Sequence, residues 1–126
     1  MKKRLVHIIF LTVAVIALIG CKKTKEITCS LSTAASKPPV EMIITYTATQ
    51  TGDGALSSLS YATISGTVTV QNPSLPWTIT VSALTSTDVA ISATGTTKDG
   101  SLKISYEGVG SGATISGSDF CEQQTN

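Results

Sequence analysis

From Val40 almost to the C-terminus, apolar and hydroxyl-bearing residues take turns along the chain. In "VEMIITYTATQ" the residues Val40, Met42, Ile44, Tyr46 and Ala48 fall on one face at period two, with Glu41, Ile43, Thr45 and Thr47 on the other. Successive side chains of an extended chain point to opposite sides, so this period marks a half-buried strand. The pattern recurs in LSSLSYAT (56–63), GTVTVQ (66–71), WTITVSA (77–83), DVAISATGT (88–96), LKISYEG (102–108) and ATISG (113–117), with Phe120 after it. Between these runs lie TGDGA (51–55), NPSLP (72–76), TKDGS (97–101) and GVGSG (108–112), clusters in which glycine admits positive φ and aspartate, asparagine and proline favour turns. Asp99-Gly100 between two alternating runs signals a hairpin. No stretch after the N-terminal apolar run has a 3.6-residue period. The pattern predicts an all-β fold, an immunoglobulin-like antiparallel β-sandwich of seven to eight strands, with a small barrel as the competing architecture.

The N-terminus is of another kind. Met1-Lys2-Lys3-Arg4 is a compact positive cluster, and from Leu5 to Ile19 only His7 and Thr12 interrupt an apolar run. A charged segment followed by a short apolar one is the pattern of an export signal, and the run falls short of the about 20 residues that span a bilayer. Leu18-Ile19-Gly20-Cys21 resembles the bacterial lipobox, in which the chain is cut before the cysteine and its thiol is acylated. This resemblance implies Cys21 as the lipid attachment site, with a plain signal anchor as the alternative. Residues 1–20 then form the signal peptide, 21–39 a lipidated tether, and 40–126 the sandwich domain. "ITCSLS" (27–32) could add a short edge strand within the tether, and "SKPPV" gives a stiff lead-in to the first long strand.

Cleavage would leave 106 of the 126 residues, enough for one domain. Six lysines against eight carboxylates then give a net charge of −2 in place of the precursor's +1. The only histidine, His7, and the only arginine, Arg4, both fall in the signal segment. A domain without histidine has no Ser-His-Asp or Cys-His catalysis and lacks the commonest zinc ligand. Without arginine it has no bidentate fork for phosphate, and its slightly acidic balance is not the footprint of a nucleic-acid binder. The expectation is a non-enzyme with no cofactor, no metal, no nucleic-acid partner and no identified small-molecule substrate.

Of the remaining candidates, Cys29 and Cys121 form an even pair in an exported domain and are expected to join as a disulfide. Two unrelated thiols is the plainer alternative. Trp77 at a strand start is expected to plug one end of the core, rather than offer an exposed platform for a sugar ring. Asp53 and Asp99, beside turn glycines, are expected to bond the local backbone. The many serines and threonines read as solvated strand faces, since threonine favours strands and no Ser-x-x-Lys or Gly-x-Ser-x-Gly element occurs.

One longer stretch, "ITYTATQTGDG…LSYATISGTVTVQNPSLPWTITV", resembles the domain of the small mycobacterial membrane protein family, MmpS. The matching positions are Tyr46, Tyr61 and Leu75-Pro76-Trp77, and "ISATGTTKDGSLKISYEG" resembles that family's late hairpin. The resemblance implies an immunoglobulin-like domain acting as an accessory beside a resistance-nodulation-division lipid exporter. The family's uncleaved transmembrane anchor is a departure, since this chain carries a lipobox-like end instead. The expected function is a lipid-anchored envelope protein held to a membrane by its acyl chains, on the outer membrane or periplasmic face, in a membrane-protein complex. The alternative is a surface-exposed adhesion or glycan-binding module.

Overall fold

The computed structural model describes residues 25–123. It contains eight strands: β1 (Ile27–Ser32), β2 (Met42–Thr51), β3 (Ala55–Thr63), β4 (Gly66–Gln71), β5 (Trp77–Ala83), β6 (Ile91–Thr97), β7 (Ser101–Gly110) and β8 (Ala113–Glu122). They form two four-stranded sheets, in the orders β1-β6-β3-β4 and β5-β2-β7-β8. Every pairing is antiparallel. The expected sandwich is the fold, with eight strands.

Its central wiring is that of an immunoglobulin sandwich: β2 pairs β5 in one sheet while β3 pairs β6 in the other. The outer strands differ. In a constant-type immunoglobulin domain the first strand shares a sheet with the second. Here β1 instead pairs β6, and β7 pairs β2 and carries β8.

The period-two faces explain what lies inside. Met42, Ile44, Tyr46 and Ala48 of β2 are all buried, as are Leu56, Leu59 and Tyr61 of β3, Ile91 and Ala93 of β6, and Leu102, Ile104 and Tyr106 of β7. Burying an aliphatic side chain of this size contributes about 1.5–3 kcal/mol, so these residues dominate the stability. Tyr46 is the largest of the fully buried side chains, and its hydroxyl donates to the Ala62 carbonyl oxygen at 2.8 Å. That bond ties β2 of one sheet to β3 of the other.

One sequence expectation is corrected. The TKDGS turn does not close a hairpin, because β6 and β7 belong to different sheets. Both strands carry a buried row, Ile91 and Ala93 on one and Leu102 and Ile104 on the other. Joining them by an arch turns the two rows toward each other, which a flat hairpin would not do. The Thr51–Ala55 connection is a second arch at the same end, between β2 and β3.

The two arches pack together. Gly52 has φ of 61°, and a Cβ on Gly100 would collide with the Thr51 carbonyl oxygen. Asp53 reaches beyond its own turn, because its main bonds are to the other arch. Its carboxylate accepts from the Lys98 amide at 3.0 Å, the Asp99 amide at 3.2 Å and the Thr97 hydroxyl at 2.9 Å. These donors, the Lys98 and Asp99 amides foremost, hold its pKa below the ordinary value of 3.8. The true hairpins are β3–β4 and β7–β8, closed through Gly66 and Gly112 at positive φ.

The flanks are unlike. At one, Cys29 of β1 and Cys121 of β8 form a disulfide with a Cα separation of 5.9 Å. Beside it the Asp119 carboxylate of β8 accepts from the Ser32 amide of β1 at 3.0 Å. At the other flank lie the edge strands β4 and β5, joined by residues 72–76. Their inward residues Val70, Trp77, Ile79 and Val81 are only partly buried, and Val68 is 39% exposed.

Candidate functional site

Among the described residues, those singled out by the sequence lie in two places. Tyr46, Tyr61 and Trp77 are drawn together inside the sandwich, with ring centroids 5.3 Å apart for the tyrosine pair and 5.5 Å for Tyr61 and Trp77. Trp77 lies half-buried against the core at the start of β5, on its inward face, and Leu75 is likewise partly buried against the core. Pro76, cis to Leu75, is exposed. Tyr106, on the apolar face of β7, completes the cluster, 6.4 Å from Tyr46. Burial pushes the Tyr46 phenol up to about 12, so this side chain stays neutral at physiological pH. Cys29 and Cys121 are the staple at the β1/β8 flank. Cys21, the candidate lipid attachment site, lies outside the described residues.

Of these described residues only Pro76 is exposed, and it makes no extended surface. The surface that stands out is the outer face of the β5-β2-β7-β8 sheet, built by the polar half of each alternating strand. The ladders align its residues in rows. Ser82, Ile43, Val109 and Thr114 form one row, then Thr80, Thr45, Glu107 and Ser116 the next. Thr78, Thr47, Ser105 and Ser118 follow, and beyond them Thr49, Lys103 and Phe120. Neighbouring rows stand roughly 6.8 Å apart along the strands and neighbouring columns about 4.8 Å apart, which spaces the hydroxyls as a regular array.

Two apolar places interrupt this array. Ile43 and Val109 are opposite each other across the β2–β7 ladder and are 52% and 53% exposed. A depression of about 330 Å³ runs from them past Thr45, Thr47, Ser105 and Glu107. A second hollow of about 270 Å³ lies on their other side, between Glu41, Met42, Ser82 and Gly110. The pair therefore forms a ridge between two hollows. At the far side of the face Phe120 is 64% exposed and sits opposite Lys103.

Chemically the face offers apolar contact, hydroxyls that donate or accept, one carboxylate in the main depression and one ammonium. Some hydroxyls are already engaged: Thr78 donates to the Tyr46 carbonyl oxygen at 3.1 Å, and Thr45 and Thr80 lie 3.4 Å apart. Among the described residues, no group of three His, Cys, Asp or Glu side chains could hold a metal ion. The sequence signal for this site was present but faint. In "EMIIT" the apolar Ile43 stands on the polar side of an otherwise clean alternation, and Val109 does the same in "EGVG". Only the β2–β7 register shows that the two breaks coincide. Compared with family models, with curated proteins and with solved structures, the chain matches none.

Proposed function

We propose that the chain is a lipid-anchored, non-enzymatic protein of a bacterial envelope whose β-sandwich is an interaction domain. In its sharpest form the reading makes it an accessory to a resistance-nodulation-division-type transporter. The observation that carries the interaction role is the Ile43–Val109 ridge on the outer sheet face. An exposed apolar pair bordered by hydroxyls and the carboxylates of Glu41 and Glu107 has the make-up of a small protein-binding patch, apolar at its centre and polar at its rim. The anchor rests on the lipobox-like Leu18-Ile19-Gly20-Cys21, and the transporter role on the MmpS resemblance through Tyr46, Tyr61 and Leu75-Pro76-Trp77.

Palmitate labelling tests the anchor: wild type takes up label and Cys21→Ser does not, while equal labelling would refute acylation at this cysteine. Mild cross-linking in intact cells tests the partner, with a multi-span membrane protein expected to co-purify. Recovery of the chain free of any membrane complex would count against the accessory role.

A glycan-binding module is the second reading, and Phe120 favours it. This ring is exposed on a hydroxyl-rich face, whereas Trp77 is packed inside. A glycan array on which wild type binds and Phe120→Ala does not would select this reading over the first.

A further inference from the structure

The two flanks of the sandwich are guarded to different degrees. The edge of β8 carries Asp119 on its inward face, and β8 is tied to β1 by the disulfide. An inward carboxylate on an edge strand discourages another chain from pairing there. The opposite flank has no such device. Neither GTVTVQ of β4 nor WTITVSA of β5 contains a charged residue or a proline, and the β5 ladder runs without a bulge. Both strands are rich in β-branched residues and leave apolar side chains partly uncovered.

The sequence of β5 also reads nearly the same in both directions about Thr80. Ile79 is mirrored by Val81 and Thr78 by Ser82, while at the ends the large Trp77 falls opposite the small Ala83. An antiparallel pair of identical strands related by a two-fold axis brings each residue opposite its mirror position. Two β5 strands centred on Thr80 would set Ile79 of one molecule against Val81 of the other on the inner face. On the outer face every facing residue would be a threonine or serine. Such β-branched and hydroxyl pairs are favourable across a ladder, and no charge meets a like charge.

We propose that the β5 edge binds a second copy of this chain, pairing β5 with β5 to join two four-stranded sheets into one of eight. The inward row of the second β5 then extends the cover over Val68, Ile79 and Val81. A foreign strand would need only the open edge; the mirror symmetry of β5 selects a second copy as the occupant.

The test uses the full chain carrying Thr80→Cys, oxidised mildly in intact cells and read on a non-reducing gel. Directly opposed residues of an antiparallel pair have Cα atoms about 4.5–5.5 Å apart, within reach of a disulfide. Thr80→Cys is expected to give a dimer, and Ser118→Cys, exposed on the far strand of the same face, only background. Separately, the detergent-solubilised wild type should sediment as a concentration-dependent dimer. Thr80→Lys, which opposes two ammonium groups, should sediment as a monomer with an unchanged circular dichroism spectrum. Equal cross-linking of both cysteine variants overturns the proposal, as does a wild type that stays monomeric at every concentration. Thr80→Cys adducts formed only with other proteins also overturn it and place a foreign strand on the edge. Should Thr80→Lys fail to fold, the Thr80→Cys comparison decides alone.

Discussion

Replacing Tyr46 by phenylalanine removes one buried oxygen and leaves the ring packing in place. The Ala62 carbonyl loses its 2.8 Å donor from the opposite sheet. Losing a hydrogen bond to a part-buried acceptor costs about 0.5–1.5 kcal/mol, so Tyr46→Phe should unfold at lower denaturant with an unchanged slope. Its effect also depends on pH. Burial raises the phenol from 10.0 to about 12, so the folded state holds this proton more tightly than the unfolded one. The contribution is whole below pH 10.0 and is lost as pH climbs through about 12. Tyr46→Phe should therefore lose less stability than wild type over that interval in an alkaline unfolding series. Asp53 has the opposite sign. Its carboxyl is held below 3.8 by the Lys98 and Asp99 amides, so its contribution is present above that value and fades as pH falls below it. Asp53→Asn should unfold earlier than wild type at neutral pH, and the gap should narrow in acid. At this scale the sequence showed which way Tyr46 faces, because period two is local. It could not show that the acceptor is Ala62, or that the donors to Asp53 lie some 45 residues on, since both meetings are made by the crossing of sheets.

The same limit governs the elements. Alternation and turn residues located the strands closely, yet an Asp-Gly turn between two alternating runs serves a hairpin or an arch equally well. What separates them is whether the two buried rows lie side by side or face to face, and that is decided by the other strands. β6 already has β1 and β3 as neighbours, so β7 must cross to the other sheet and pair β2. Strand β1 shows how a short element is held at an edge. It has one ladder neighbour, β6, and its second attachment is the bond from Cys29 to Cys121 across the flank. The two cysteines are 92 residues apart, and closing a loop of that length lowers the entropy of the unfolded chain. In the chain-entropy model the effect is about 4–5 kcal/mol, a large part of the 5–15 kcal/mol typical of a domain. The double variant Cys29→Ser/Cys121→Ser should show a stability loss of roughly that size in equilibrium denaturation. Hydrogen exchange should show β1 opening before β2 and β7 in the variant. The central strands keep ladder neighbours on both sides, whereas β1 would keep its ladder to β6 and the single Ser32–Asp119 bond to β8.

Over the whole molecule the two halves of the alternating pattern have separate consequences. The apolar half closes the core around Tyr46, and the polar half covers the sheets with hydroxyls. Ile43 and Val109 belong to neither programme. They lie on the hydroxyl face, adjacent in register and about half exposed, where they add nothing to the core. A surface site of this kind can be altered without disturbing the fold, so binding and stability can be measured apart. The double variant Ile43→Ser/Val109→Ser continues the surrounding hydroxyl array, and serine fits an exposed strand position. Surface changes of this type usually shift stability by no more than about 0.5 kcal/mol each, so the denaturation midpoint should stay close to that of wild type. If the ridge is the contact surface, cross-linking to the envelope partner should fall to background in this variant. Phe120→Ser, on the far side of the same face, should keep that cross-link. Loss of the cross-link in Phe120→Ser alone would move the contact away from the ridge to the Lys103–Phe120 side. A cross-link kept by both variants would take the contact off this face altogether, and would direct the search to the β4/β5 flank.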